Sequence, residues 1–166
     1  MPELLIMRHA KSDWGVGLAS DRERPLAKRG CKEAKRMGRA ITKIGATPDL
    51  ILSSPAVRAQ TTAELVKKAG HWTAPIEIVP SFYGGSWNDV VDGILSSGAT
   101  ADRILVTGHE PTWSDLLSVL TGGSLFAMPT AAVACLSVTG PTWARLGAAC
   151  AELQWHLTPR MLKLLG

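Results

Sequence analysis

Cysteines and long apolar runs are scarce in this sequence, and each shortage excludes a class of protein. The cysteines, Cys31, Cys135 and Cys150, are odd in number and scattered, which argues against a disulfide framework. No apolar run approaches the ~18 residues of a membrane-spanning helix, and the first residues lack the basic stretch of a secretory signal. We therefore expect a soluble, cytoplasmic protein without a membrane partner.

Motifs of several common enzyme classes are missing as well. The sequence contains no Gly-x-x-x-x-Gly-Lys-Ser/Thr loop of a P-loop nucleotide hydrolase and no Gly-x-Ser-x-Gly elbow of a serine hydrolase. A thiol phosphatase needs Cys-x5-Arg, but Met37 stands at that spacing from Cys31. The histidines and cysteines show no metal-ligand spacing, and we interpret His71 and His156 as structural residues. We expect neither a metal nor another cofactor.

Length and composition fit one folded domain. The chain has 166 residues, of which 46% are hydrophobic and 19% charged. That is enough apolar surface for a core without disulfides and too much for a wholly disordered chain. Single domains mostly contain about 100–200 residues. No repeat or linker divides the sequence, so we interpret residues 1–166 as one domain, and we expect a monomer.

Short apolar runs alternate with amphipathic stretches along most of the chain. The predicted strands are 3–7, 49–52, 76–79, 103–107, 131–138 and 143–157, and the predicted helices are 28–44, 55–70, 86–97 and 113–120. Ser54 is expected to cap the second helix and Pro55 to begin it. A hairpin is expected around residues 139–141. This order predicts a three-layer α/β sandwich with a mostly parallel central sheet.

The net charge of +4 is concentrated in one part of the chain. Residues 22–43 contain nine basic residues and two acidic ones. Within helix 28–44 the apolar residues at helical spacing are Cys31, Ala34, Met37, Ile41 and Ile44. The bases occupy the other side of that helix. They form either a solvated surface or a field that attracts an anionic substrate or an acidic protein. No aromatic residues lie among them, so we expect no nucleic-acid partner.

Four cationic or imidazole side chains lie near the ends of predicted strands. Arg8 and His9 follow the first strand, Arg58 follows the second and His109 follows the fourth. The carboxyl ends of parallel strands meet at one edge of the sheet, where such folds bind ligands. The helix predicted from Pro55 would point its amino terminus toward the same edge. Guanidinium groups match phosphate oxygens, so this arrangement predicts an anion-binding pocket.

Eight short segments, spread over nearly the whole chain, carry a family resemblance. They are 5–12 (LIMRHAKS), 24–26 (RPL), 29–30 (RG), 48–49 (PD), 53–61 (SSPAVRAQT), 106–111 (VTGHEP), 128–130 (MPT) and 158–160 (TPR). Their order and content resemble the histidine phosphatase superfamily, which has the phosphoglycerate mutase-like fold. The short branch that they most resemble contains the phosphohistidine phosphatases of the SixA type.

The resemblance implies a role for each matched polar residue. His9 would attack phosphorus and carry the phosphoryl group as a phosphohistidine intermediate. Arg8, Arg58 and His109 would bind the phosphoryl oxygens and stabilise the charge of the transition state, the main contribution of a protein to phosphoryl transfer. The resemblance implies no metal and no cofactor.

One departure from the larger relatives concerns the proton donor. Those relatives carry an acid soon after the third strand, whereas here the first acid in that stretch is Asp89, within a predicted helix. Glu110 is the acid nearest in sequence to a pocket residue, and it is either a proton donor or a carboxylate at a helix start. An imidazole leaves without a general acid more easily than an alkoxide does. The departure favours a phosphohistidine-bearing protein as substrate.

Two other functions stay open at this point. A phosphatase for small phosphate esters or nucleotides would need Tyr83, Asp89 or Glu110 to supply a proton. A phosphate-binding regulatory module would bind the anion without turnover. A mutase is the least favoured, because retaining the phosphoryl group requires a closed site, and the short chain leaves little to build a lid.

Overall fold

The computed structural model of the protein describes residues 1–15, 17–97 and 100–166, which form six strands and five α-helices. The strands are β1 (Glu3–Arg8), β2 (Leu50–Ser53), β3 (Ile76–Ile78), β4 (Arg103–Gly108), β5 (Val133–Val138) and β6 (Ala151–Leu157). The helices are α1 (Lys28–Lys43), α2 (Val57–Gly70), α3 (Trp87–Ser97), α4 (Thr112–Leu120) and α5 (Pro159–Leu164).

All six strands belong to one sheet, in the order β3-β2-β4-β1-β5-β6. The first four of these pair in parallel, and β5 and β6 add two antiparallel pairings at one edge. The mostly parallel sheet predicted from the sequence is therefore confirmed. Parallel strands need long crossover connections, and the helices between β1, β2, β3 and β4 supply them.

The sheet is covered on both faces, which makes three layers. Alternate residues of β1 point to opposite faces, so Leu4 and Ile6 join one core while Leu5 and Met7 join the other. The first core contains residues of α3 and α4, and the second contains residues of α1 and α2. Strands buried on both faces have the continuous apolar runs seen in β1 and β4.

The second helix begins later than expected. Ser54 was expected to cap it and Pro55 to begin it, but α2 begins at Val57 with Ala56 in the capping position. The Ser54 hydroxyl instead accepts a hydrogen bond from Ala56 N at 3.2 Å, closing a turn before the helix. That turn leaves the hydroxyl proton of Ser54 available to another partner, which proves to be His109.

The end of the chain also differs from the prediction. A strand was expected from residue 143, but Trp143–Arg145 form a short 3-10 turn and β6 begins at Ala151. The Trp143 indole is buried and donates a hydrogen bond to Ala101 O at 2.6 Å, which holds this segment away from the sheet. Helix α5 was not predicted; Thr158 caps it, and Pro159 is its first residue.

The amphipathic helix α1 buries Ala34, Met37 and Ile41 as predicted, but the prediction for Ile44 was wrong. Ile44 follows the last helical residue and is exposed, whereas Glu33 is buried and accepts a hydrogen bond from Arg29 Nε at 2.8 Å. The bases Lys32, Lys35, Arg36 and Arg39 are exposed. No helix in the described part of the chain is long and apolar enough to cross a membrane.

Helices α1 and α2 approach closely at Gly38, where a side chain cannot fit. An added Cβ would lie 2.8 Å from the Cα of Val66. We expect Gly38→Ala to lower the free energy of unfolding by about 1–3 kcal/mol through overpacking, against a gain of no more than about 1 kcal/mol from helix propensity. Urea denaturation measures the difference, and the exposed control Lys35→Ala should change it by no more than about 0.5 kcal/mol. Equal stability of Gly38→Ala and wild type would contradict the close packing.

Candidate active site

The predicted pocket lies where β1, β2 and β4 end together. Arg8 is paired with Gly108, and Ser53 is paired with Thr107. The connection that leaves β1 forms α1 on one face of the sheet, and the connection that leaves β4 forms α4 on the other. Between two such neighbouring strands a crevice opens at the carboxyl edge, the usual ligand position in open α/β sheets. Arg8, His9 and His109 lie at this crevice.

Backbone and side-chain hydrogen bonds fix His9. Its backbone N–H donates to Gly108 O at 3.0 Å, and its carbonyl accepts from Ala131 N at 3.1 Å. Its ring atom Nδ1 lies 2.8 Å from Ala10 O. A carbonyl oxygen can only accept, so Nδ1 carries the proton and Nε2 keeps a free lone pair. The tautomer that this contact selects is the one in which Nε2 can act as a nucleophile.

The surroundings of His9 keep its ring neutral. Burial, together with the positive charges of Arg58, Arg8 and Arg24, lowers the pKa of His9 from 6.5 to about 4, against the opposing effect of the Ala10 hydrogen bond. The residue is only 7% exposed. Near neutral pH the lone pair of His9 is therefore not blocked by a proton.

His109 lies beside His9, with the two ring centroids 5.3 Å apart. Its Nε2 is 2.7 Å from Ser54 Oγ, whose lone pair already accepts from Ala56 N, so the Ser54 proton is free to be donated to Nε2. Burial and the charge of Arg58 lower the pKa of His109 to about 3. When Ser54 donates to Nε2, the neutral ring carries its proton on Nδ1, which is buried and has no partner among the described residues.

The two predicted arginines are both anchored and both incompletely bonded. Arg8 Nη1 donates to Met128 O at 3.0 Å. Arg58 donates from Nη1 to Asp21 O at 2.8 Å and from Nη2 to Asp21 Oδ2 at 3.0 Å. The Nε atoms of both arginines are buried without a partner in the described part of the protein. Buried donors are normally satisfied, so these N–H groups are suited to an anion such as a phosphoryl group.

Asp21 is a site residue that the sequence analysis missed. Its carboxylate accepts from Arg58, from Tyr83 Oη at 3.1 Å and from Arg24 Nη1 at 2.8 Å. The hydrogen bond from Arg24 is the main reason that the pKa of Asp21 falls to about 2. Asp21 lies in the long connection between β1 and α1, far from any strand end, so the reasoning that found His9 and His109 could not reach it.

The three candidate proton donors, Glu110, Asp89 and Tyr83, differ in the contacts that they make. Both oxygens of Glu110 accept hydrogen bonds from Ser114, from its backbone N at 3.0 Å and its hydroxyl at 2.7 Å. Asp89 accepts from the backbone and side chain of Ser86, which lowers its pKa. Both carboxylates therefore satisfy the start of a helix. The Tyr83 ring alone of the three packs on a pocket residue, 5.6 Å from the His109 ring.

A metal site is not evident in the described ranges, in which no three His, Cys, Asp or Glu side chains form a metal-binding group. His156, interpreted from the sequence as structural, lies on β6. His71 follows α2 and is exposed.

The burial of His9 generates a pH prediction. Its imidazole should stay neutral, with the proton on Nδ1, until the pH falls to about 4. Between pH 6.5 and 4, His9 is protonated in the unfolded chain but stays neutral in the folded protein. This difference lowers the stability of the folded protein as the pH falls through that range. Histidine ¹⁵N NMR reads both the pKa and the tautomer, with His9→Gln to assign the signal. A midpoint near 6.5 would contradict the inferred environment.

Comparison with known proteins identifies the family to which this chain is similar. A family model described as the histidine phosphatase superfamily (branch 1) matches residues 4–90. An uncharacterized protein of Mycobacterium tuberculosis is 36% identical over 164 residues, covering 93% of this chain and 100% of its own. The phosphohistidine phosphatase SixA of Escherichia coli is 25% identical over 167 residues, covering 98% and 97%.

Solved structures confirm the predicted fold. A structure assigned as SixA from Nakamurella multipartitia superposes with a TM-score of 0.81 at 27% identity, covering 95% of this chain and 96% of that one. The resemblance inferred from the ordered motifs is thus supported by sequence and by fold. This chain belongs to the histidine phosphatase superfamily and is a phosphatase of the SixA-like type.

Proposed function

We propose that this phosphatase removes the phosphoryl group from a phosphohistidine-bearing protein, by way of a phosphoryl intermediate on His9. Arg8, Arg58 and His109 would bind the phosphoryl oxygens. The proposal is supported by the unpartnered donors that these three side chains present and by the lone pair that the Ala10 contact leaves on His9 Nε2. It is also supported by the similarity to a phosphohistidine phosphatase of Escherichia coli.

The proposed reaction has two displacements at phosphorus. The lone pair of His9 Nε2 forms a new N–P bond while the bond from phosphorus to the substrate nitrogen breaks, and its electron pair goes to that nitrogen. His9 keeps its Nδ1 proton, hydrogen-bonded to Ala10 O, and becomes a phosphorylated imidazolium. Water then attacks phosphorus, the electron pair of the second P–N bond returns to Nε2, and dihydrogen phosphate carries away both protons of the water.

The observation that carries the choice of substrate is that the carboxyl groups around the pocket are not placed to give a proton. Glu110 is bonded to Ser114 and Asp89 to Ser86. Asp21, with a pKa of about 2, is ionised at neutral pH. General acid catalysis commonly raises a reaction rate ~10²–10⁴-fold. Hydrolysis of an alkyl phosphate at this site would lack that contribution. A phosphorylated imidazole needs it least, because its leaving nitrogen is far less basic than an alkoxide.

A protein-borne substrate agrees with the position of the site at the carboxyl edge of the sheet. The exposed bases of α1 could attract an acidic partner by a long-range field. We propose a monomeric cytoplasmic enzyme, as the sequence predicts.

The first test removes the nucleophile. His9→Ala should abolish turnover of phosphohistidine and of p-nitrophenyl phosphate, because nothing remains to accept the phosphoryl group. It should still bind vanadate, because Arg8, Arg58 and His109 are retained. Steady-state kinetics and vanadate titration measure the two effects. The control is His71→Asn, at an exposed position with φ 58° that asparagine tolerates; it should be fully active. Appreciable turnover by His9→Ala would mean that water attacks directly.

The second test concerns the leaving group. A series of aryl phosphates of graded leaving-group pKa should show rates that fall steeply as the leaving group becomes more basic, and phosphoserine should scarcely react. Glu110→Gln and Asp89→Asn should leave that slope unchanged, because Ser114 and Ser86 already bind these carboxylates at helix starts.

Rates that do not depend on the leaving-group pKa would instead favour a phosphatase for small phosphate esters. Tyr83 is then the residue to examine, because its ring lies against His109. If Tyr83→Phe turned a flat series into a steep one, the Tyr83 hydroxyl would be the proton donor and the proposed substrate would be wrong.

A further inference from the structure

The Asp21 carboxylate is partly exposed and contacts a buried arginine of the site, and we call this exposed side the mouth of the site. Its side chain is 46% exposed, whereas the Arg58 side chain bonded to it is 8% exposed. His9 is equally deep, at 7%. The Asp21 carboxylate is therefore closer to the solvent from which a substrate arrives than the Arg58 and His9 side chains are.

In-line displacement places the leaving group at this mouth. The attacking and leaving atoms lie on opposite sides of phosphorus. Because His9 attacks from the floor of the pocket, the leaving nitrogen must lie on the solvent side. The ring that contains it then extends outward past the phosphoryl group held by Arg58, toward the carboxylate that Arg58 also holds.

The chemistry of a phosphorylated imidazole calls for an acceptor at this place. When the ring is protonated on its distal nitrogen, cleavage of the P–N bond sends the electron pair to the leaving nitrogen, and a neutral imidazole departs. When it is unprotonated, the same cleavage must expel an imidazolate anion, which is a much poorer leaving group. An anionic hydrogen-bond acceptor beside the distal nitrogen stabilises the protonated, reactive form.

We propose that Asp21 accepts the hydrogen bond of the distal N–H of the substrate's phosphorylated imidazole and so determines the specificity of the site for phosphohistidine. This inference rests on the proposed function. Each imidazole of the first displacement would then donate the N–H that is remote from phosphorus to an oxygen acceptor. His9 donates to Ala10 O, and the substrate ring would donate to Asp21.

Asp21 has the capacity for this additional bond. A carboxylate offers about four lone-pair sites, and the structure uses three: two on Oδ2, from Arg58 and Tyr83, and one on Oδ1, from Arg24. The same three donors keep the group ionised, with a pKa of about 2. Asp21 therefore serves as an acceptor and not as a general acid.

The test compares two substrates that differ in the leaving group. Asp21→Asn removes the charge and keeps the shape. We expect its kcat/KM for phosphohistidine to fall about tenfold or more, as for loss of a hydrogen bond between charged groups. Its kcat/KM for p-nitrophenyl phosphate, whose leaving group has no N–H, reports only the loss of support for Arg58, so the ratio of the two kcat/KM values should fall about tenfold or more. Asp21→Glu, which restores the charge, should recover part of the preference for phosphohistidine.

The matched control is Asp13→Asn, at an exposed position in the same connection, where the carboxylate accepts a hydrogen bond from Gly15 N at 3.2 Å; both rates should be unchanged. An equal loss on both substrates in Asp21→Asn would overturn the proposal, because Asp21 would then merely position Arg58. No loss on either substrate would overturn it as well. If wild-type protein hydrolysed p-nitrophenyl phosphate but not phosphohistidine, the proposed function would fail, and this inference with it.

Discussion

Positive charge concentrated around one buried imidazole is the constraint on which this site depends. Arg8, Arg24 and Arg58 all act on His9, and water is largely excluded from its ring. Such a cluster is costly to bury unless its N–H groups find oxygen atoms. The chain provides some of them: the carbonyl of Met128 for Arg8, and the carbonyl and carboxylate of Asp21 for Arg58. Arg8 Nε and Arg58 Nε are left without a partner among the described residues, and we propose that the substrate supplies the missing acceptors.

The same constraint explains why a loop residue enters the site. The connection between β1 and α1 is folded back so that Asp21 reaches Arg58, Tyr83 and Arg24 at once. Arg24 is in turn stacked on Trp14, with its guanidinium carbon 3.6 Å from the ring centroid. A single carboxylate thus offsets part of the repulsion between two arginines, and it orients a tyrosine that packs on His109.

The part of the site that depends on the sheet could be predicted from the sequence, and the part that depends on this loop could not. Arg8, His9 and His109 follow apolar strands whose carboxyl ends must meet, so their convergence followed from periodicity and topology. Ser54 was noticed as a cap, but its contact with His109 needs the exact turn before α2. Asp21 belongs to a polar segment without periodicity, so only three-dimensional contacts reveal its role. For Glu110 the sequence left two interpretations open, and its hydrogen bonds from Ser114 agree with the carboxylate at a helix start.

Fixed protonation is the chemical result of this packing. His9, His109 and Asp21 have pKa values of about 4, 3 and 2, so each keeps one protonation state through the neutral range. None of these three groups titrates there, so none of them is suited to deliver a proton to a leaving group. In the proposed function, the proton that eases P–N cleavage belongs to the substrate, because phosphohistidine carries one on its distal nitrogen. The electrostatics that keep His9 neutral would then also select the class of substrate.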